Sequence, residues 1–230
     1  MLEMYAKFLK RVLDFTLSLI ALIVLSPVLL VLMVLGAVKM KGNPFFTQLR
    51  PGKDEKIFKL IKFRSMTCET DADGNLLPDD QRMTRYGEIL RSTSLDELPE
   101  LFNILKGDMA LVGPRPQLVR DMVFMTADQR RRHSIRPGLT GLAQVSGRNN
   151  ITWEQKLQYD LTYLDGGITL FGDIKILFMT VFKVFKREDV VRDGTVSDMD
   201  FGDWLLQRGE VTKEEYDRLQ AEAKELLKVF

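Results

Sequence analysis

Residues 15–38 form a run of 24 residues without a charge, and nothing else in the chain limits its fold as strongly. As a helix the run would extend roughly 36 Å, enough to cross a hydrocarbon core of about 30 Å. It is longer than a leader's apolar core, and no small-residue cleavage site follows it, which argues against a cleaved signal. Ser26-Pro27 sits in its middle. Proline removes a backbone donor and clashes with the preceding turn, so a bend is expected there. Ser26 can satisfy a carbonyl that the proline frees. Basic residues flank both ends: Lys7, Lys10 and Arg11 before, Lys39 and Lys41 after. A straight span would put one cluster on the wrong side under the positive-inside rule. A helix that enters, bends and returns keeps both on one face. On the residues alone, the kinked span and the re-entrant form stand level.

The 230 residues fit one domain with attachments. Lys+Arg 33 against Asp+Glu 32 gives a net charge of +1, which carries no signal for a nucleic-acid partner. Locally the balance tips, with 11 basic and 7 acidic residues over 82–148. Cys68 is the single cysteine, so an internal disulfide and a multi-cysteine metal site are excluded. A lone thiol fits a reducing compartment.

Residues 56–64 alternate basic and apolar side chains and read as a strand with one face buried. Residues 67–85 read as a loop. Asp71-Ala-Asp-Gly-Asn75 within it is a plain turn, because Leu76 and Arg82 stand where a calcium loop needs glycine and glutamate. Helices are expected over 86–90, 95–105, 117–135, 153–164 and 172–185. The last is either an interfacial amphipathic helix or a core-packing one. Residues 210–230 predict a separate helix with capping-box spacing at Thr212 and Glu215. Its apolar stripe runs through Tyr216, Leu219, Ala223, Leu226, Leu227 and Phe230. That stripe packs on the body or pairs with a second copy, which leaves a homodimer open.

Asp96-Glu97 is the candidate chemical centre. Ser94 and Glu97 have capping-box spacing and Asp96 suits a helix N-terminus, so capping alone can explain the pair. The same position attracts phosphate or metal. A carboxylate can also be a covalent nucleophile toward phosphorus, given charge neutralisation by Mg²⁺ and arginine. Arg91 precedes the pair, and Arg115, held between Pro114 and Pro116, is a guanidinium suited to bidentate phosphate binding. Lys62 on the expected strand is a further phosphate or acid partner, or one exposed lysine among many. The basic run 130–133 reads as a solvated helix end, or as a membrane-surface or pyrophosphate patch. His133 is the only histidine, which argues against histidine metal sites and Ser-His-Asp triads. Asp200-Phe-Gly202 lacks the loops that would make it a kinase motif.

Several segments now combine in order: Phe8-Leu-Lys-Arg-Val-Leu-Asp14, Ser26-Pro27, Phe45-Phe-Thr-Gln-Leu-Arg-Pro-Gly52 and Phe58-Lys-Leu-Ile-Lys-Phe-Arg64. They continue with Arg91-Ser-Thr-Ser-Leu-Asp-Glu-Leu-Pro99, Leu105-Lys-Gly-Asp-Met109, Val112-Gly-Pro-Arg-Pro116 and Arg136-Pro-Gly-Leu-Thr-Gly-Leu-Ala-Gln-Val-Ser-Gly-Arg148. Over residues 5–187 the chain resembles the bacterial sugar transferases, the small monotopic phosphoglycosyl transferases. The resemblance implies an α/β fold, predominantly helical with a small strand element. It implies a re-entrant membrane hairpin over 1–41 broken at Ser26 and Pro27, a catalytic domain over 42–187 with interfacial helices, and an extension over 188–230. It implies transfer of a phosphosugar from a UDP-sugar to undecaprenyl phosphate with release of UMP, at the cytoplasmic face of a bacterial inner membrane in contact with its lipid. Asp96 matches the nucleophile and Mg²⁺ ligand, and Glu97 its acidic partner. Lys62, Arg91 and Arg115 match supporting or phosphate-binding positions, with Arg136 and Arg148 on the nucleotide side. Among sugars, closeness to the short members implies an N-acetylated amino sugar and leaves a hexose phosphate open.

Overall fold

The apolar run folds as one helix, α1 (Lys10–Lys39), preceded by a π-helical turn at Tyr5–Leu9. The computed structural model describes residues 4–147, 151–186 and 199–228. Among them, α1 is the one helix long and apolar enough to cross a membrane. The break expected at Ser26-Pro27 does not divide it, and Pro27 lies inside a continuous helix. Proline withholds a donor from the carbonyl four residues earlier, that of Ile23. Ser26 Oγ donates to that carbonyl at 2.8 Å, so the local cost of the proline is offset in place.

The buried positions of α1 are Lys10, Asp14, Ser18, Leu22, Leu29, Leu32 and Gly36, a single stripe on both sides of Pro27. Leu22, Leu29 and Leu32 join Phe58, Leu60, Phe63, Leu90, Leu101, Ile104 and Met109 in the main core. At one end Arg11 donates to the carbonyls of Ile104 and Leu105, and Asp14 accepts from Leu111 N–H. At the other, Tyr86 OH donates to the Leu32 carbonyl and Gly36 backs onto Pro44. Both ends of α1 are therefore fixed to the same body. The outward side chains Ile20, Ile23, Val24, Leu30, Val31 and Val34 stay exposed.

β1 (Phe45–Pro51) and β2 (Ile57–Phe63) form an antiparallel hairpin, with Phe45 opposite Phe63 and Pro51 opposite Ile57. Alternation along β2 sets Phe58, Leu60 and Lys62 on one face, against the core. α2 (Arg85–Ser92) is capped by Thr84, whose side chain accepts from Gly87 N–H. α3 (Glu100–Lys106) lies under β2. Its buried Asn103 satisfies the strand edge by accepting from Ile61 N–H and donating to the Lys59 carbonyl. β3 (Ala110–Val112) pairs in parallel with β4 (Gly138–Thr140). The helices α4 (Val119–Met122), α5 (Leu142–Ser146), α6 (Trp153–Asp165), α7 (Leu170–Lys186), α8 (Phe201–Gln207) and α9 (Lys213–Lys228) follow, and the segment 67–85 expected as a loop contains one short helical turn at Asp79–Arg82. The fold is mostly helical with two small sheets, as expected.

Two expected helices are divided. Residues 95–105 become a 3-10 turn at Leu95–Glu97 followed by α3, because Pro99 has no N–H for a preceding carbonyl and instead stands at the N-cap position of the new helix. Residues 117–135 become α4, a helical turn at Ala127–Arg130 and a 3-10 turn at Arg131–Ser134. Thr126 starts the second piece with a capping box to Gln129. The turn at Asp71 is plain: its carboxylate accepts from the backbone of Asp73 and Asn75. The α9 stripe is used within the chain, since Tyr216, Leu219, Ala223 and Leu227 pack with Phe124, Trp153 and Leu157. α7 packs on the body along one face and leaves an apolar face open. Ile176 is buried with Val112, Val145 and Tyr163, while Phe171, Ile174, Phe178, Val181 and Phe182 are exposed.

Candidate active site

The acid pair stands on the 3-10 turn between α2 and α3. Ser94 enters that turn with φ 57°, a left-handed conformation, and its side chain makes no cap. The capping box suggested by Ser94 and Glu97 therefore does not form. The Glu97 carboxylate is used elsewhere. Its Oε1 accepts from Lys62 Nζ at 2.8 Å and from Arg115 Nη2 at 2.7 Å. Lys62 Nζ also lies 3.0 Å from Oε1 of Glu100, a carboxylate with only 2 % of its side chain exposed. Asp96 lines the same cleft, and among the described residues no side chain or backbone group hydrogen-bonds its carboxylate.

These neighbours separate the two acids electrically. Burial would raise Glu97, but Arg115 and Lys62 outweigh it and hold the carboxyl well below the usual range. Asp96 is pushed up to about 6, by burial first and then by the Glu97 charge. Glu100 is pushed up to about 7 by burial, which Lys62 only partly offsets. Burial is the largest influence on Lys62 and would lower it, but Glu97, Glu100 and Asp96 together outweigh burial and Arg115 and leave it raised. Arg115 is raised by Glu97 and keeps 41 % of its side chain exposed, so it can meet a ligand while bonded to the acid.

Arg115 is held by its backbone. Its carbonyl accepts from Arg132 Nη2 at 2.5 Å. The Pro114 carbonyl accepts from Gly138 N–H, Gly113 N–H donates to Thr140, and the Pro116 carbonyl accepts from Arg50 Nη1 at 3.0 Å. The approach between the two loops is so close that a Cβ on Gly138 would lie 2.1 Å from Gly113 N. The glycine-punctuated stretch 136–141 thus buttresses the Arg115 loop. Arg132 is itself buried and doubly bonded to Asp160, at 2.8 Å from Nε and 2.7 Å from Nη2. The basic run is consequently solvated only in part: Arg131 stays exposed, whereas Arg132 and His133 are buried. Arg130 pairs with Glu55, Arg131 with Asp128 and Asp165, and His133 is buried and pushed down to about 3 by burial and by Arg132.

The cleft has a volume of about 1250 Å³ and collects Lys62, Arg91, Asp96, Glu97 and Arg115 from the expected set. Arg91 donates from Nε to Ser65 Oγ at 3.0 Å and contributes positive charge near Asp96. Arg136 is not brought in. Its Nε donates to the Gly107 carbonyl and it lines a separate small depression, because the Pro137-Gly138 backbone turns it away from the loop it supports. Arg148 lies outside the described residues. Glu100, Arg50, Arg132 and Asp160 belong to the site or its immediate support and were missed. The spacing of Glu100 three residues after Glu97 is a signal for the first. Arg50 is pushed down to about 10 by burial and by Arg115, so it adds a second guanidinium beside the first. Among the described residues no three histidine, cysteine or carboxylate side chains converge as a metal cage.

The model of the bacterial sugar transferase family matches residues 5–187. EpsL of Bacillus subtilis, described as an uncharacterized sugar transferase, is 45% identical over 189 residues, covering 82% of this chain and 93% of that protein. The UDP-glucose:undecaprenyl-phosphate glucose-1-phosphate transferase of Klebsiella pneumoniae is 42% identical over 186 residues, covering 76% of this chain but 40% of that one. The exopolysaccharide production protein PSS of Rhizobium leguminosarum is 38% identical over 193 residues and covered to 96%. The chain thus matches short relatives nearly end to end and about two fifths of the longer one. With the family match spanning α1, the acid turn and the Arg115 loop, this chain belongs to the bacterial sugar transferase family.

Proposed function

We propose that the chain transfers a sugar phosphate from a UDP-sugar to undecaprenyl phosphate, through a covalent intermediate on Asp96. The observation that carries this reading is the division of labour in the acid pair. Glu97 is consumed by Lys62 and Arg115, whereas Asp96 faces the cleft with no hydrogen-bond partner among the described residues. An Asp96 oxygen attacks the sugar-linked phosphorus. The bond from that phosphorus to the bridging oxygen breaks, and UMP leaves with the electron pair. An oxygen of undecaprenyl phosphate then attacks the same phosphorus and the Asp96 carboxylate is released, which gives ping-pong kinetics. Arg115 and Lys62 stabilise charge on the phosphoryl oxygens, and Glu97 positions both. The relative from Klebsiella pneumoniae is named for this type of transfer with glucose.

One unbonded carboxylate suits Mg²⁺, which binds through one or two carboxylates and takes its other ligands from phosphate and water. Asp96 would hold it together with the donor diphosphate, and the ion would supply charge neutralisation. The reaction is placed at the cytoplasmic face of a bacterial inner membrane. α1 is read as re-entrant, which is supported by the docking of both its ends on one body and by basic residues at both ends. The exposed aromatic face of α7 is read as lying in the interface.

UMP release from a panel of UDP-sugars with undecaprenyl phosphate tests the reaction and finds the sugar. Asp96→Asn is expected to lose more than about 10³-fold in turnover. A phosphosugar adduct on the Asp96 peptide is expected by mass spectrometry when the acceptor is withheld. Full turnover in Asp96→Asn, or UDP as product, would refute the reading. Cysteines introduced by Met4→Cys and Gly42→Cys are expected to label from the same side of the membrane, and labelling from opposite sides would remove the re-entrant form.

A further inference from the structure

The family match ends at residue 187, yet the cleft does not. Met199, Asp200 and Asp203, at the start of α8, line it together with Arg115 and Arg120. This short segment is built into the body rather than laid over it. Trp153 Nε1 donates to the Met199 carbonyl at 2.9 Å. Phe201 N–H donates to the buried Asp121 carboxylate at 2.9 Å. The Phe201 ring packs against Trp153 in a tilted arrangement, 5.0 Å between centroids, and a Cβ on Gly202 would lie 2.5 Å from the Phe124 ring. Asp200 is ion-paired to Arg120 at 2.8 Å.

A succession of guanidinium groups joins this segment to the acid pair. Arg115 bonds Glu97, Arg50 bonds the Pro116 carbonyl next to Arg115, and Arg50 feels the positive charge of both Arg115 and Arg120. Such a row suits an extended dianion, and it ends at the Asp200 carboxylate. A carboxylate there repels phosphate and accepts hydrogen bonds from hydroxyl groups. The part of the cleft lined by Leu139, Leu177, Val181 and Val184 is richer in apolar side chains than the arginine row and adjoins the exposed face of α7, so the water-soluble donor is favoured along that row.

We propose that the start of α8 completes the donor-binding part of the cleft, with Asp200, oriented by Arg120, accepting hydrogen bonds from hydroxyl groups of the UDP-sugar. The assignment rests on the reaction proposed above. Both the ribose and the transferred sugar present such hydroxyls, so the experiment separates them.

The full-length protein is compared with Asp200→Ala and Asp200→Asn in detergent, with unfolding temperatures measured alongside. Loss of a hydrogen bond to a charged group is expected to raise the donor KM of Asp200→Ala about tenfold. The kcat and the acceptor KM should change little, and Asp200→Asn should recover part of the loss. If inhibition by UMP weakens in parallel, the ribose is the partner. If UMP inhibition is unchanged while preference within a UDP-sugar panel shifts, the transferred sugar is. Either result supports the assignment. An unchanged donor KM in a stably folded Asp200→Ala, or a rise confined to the acceptor KM, overturns it. Wild-type protein that releases no UMP would instead sink the proposed reaction. UDP-sugar binding, read by calorimetry on the same variants, still tests Asp200 in that case.

Discussion

The two walls that meet at Glu97 are held by different physics. The acid turn keeps its shape through side-chain charge: Lys62 and Arg115 converge on one Glu97 oxygen, with Glu100 behind. The Arg115 loop keeps its shape through backbone, with its carbonyls and N–H groups tied to Gly138, Thr140, Arg50 and the buried Arg132. The contrast teaches where damage should appear. Changes in the loop's supports should cost folding stability first, because they leave buried polar groups unpaired. Changes in the acid turn should cost chemistry first, because water in the cleft can solvate a bereaved partner.

The largest effect is expected at Arg132. Arg132→Ala strands the Asp160 carboxylate, 3 % exposed, and should destabilise by about 3–5 kcal/mol, read as a fall in denaturant midpoint. Arg132→Met combined with Asp160→Leu removes both charges and should recover most of that stability. It should not recover turnover, since the Arg115 carbonyl still lacks its donor. Recovery of both would mean that the loop does not need this tie, and the contrast between the walls would fail on its firmer side.

What the sequence revealed follows the same division. Asp96, Glu97, Lys62 and Arg115 are legible because their chemistry is carried by residue type and by short spacing, and the structure brings all four to one cleft. The strand at Ile57–Phe63 and the helices α6, α7 and α9 are legible because burial imposes a period on their residues. The supports are hidden. Arg132 looks like one of three arginines in a solvated run, and only the chain's return through α6 brings Asp160 to it. Arg136 carries the same residue type as Arg115, but the glycines beside it serve backbone contact and turn it aside. Segmentation of residues 117–135 was hidden for a related reason. The apolar residues Met122, Val123, Phe124 and Met125 are all buried, so no single helical face marks where one turn stops.

An intermediate effect is expected at Lys62. Lys62→Met removes one of the two cations on Glu97 and the cation beside Glu100. Turnover should fall about 10²–10³-fold, as for loss of one preorganised electrostatic contact, with a smaller change in donor KM. Stability should fall by less than for Arg132→Ala, because Arg115 still bonds Glu97. A loss of stability matching that of Arg132→Ala, with turnover preserved, would reverse the assignment of the two walls.

The smallest effect, and the sharpest probe of the charged wall, is the pH dependence contributed by Glu100. Its folded pKa is raised to about 7 from the ordinary glutamate value. A raised carboxyl binds its proton more tightly in the folded state than in the unfolded one. Its contribution to stability is therefore complete below the unfolded pKa, declines as pH rises through the interval up to about 7, and is flat above. Glu100→Gln keeps the size of the side chain and removes the titration. The unfolding temperature of the parent should fall relative to Glu100→Gln between about pH 4.5 and 7.5, by an amount equivalent to about 1–3 kcal/mol. The sign is opposite to that expected if Lys62 held Glu100 as an ionised partner, as Arg115 and Lys62 hold Glu97. In that case Glu100→Gln would be the less stable protein at neutral pH. The measurement thus decides whether the ammonium of Lys62 serves two carboxylates or one. If it serves one, Lys62 is directed at Glu97 and the cleft, and Glu100 is a largely neutral floor beneath it.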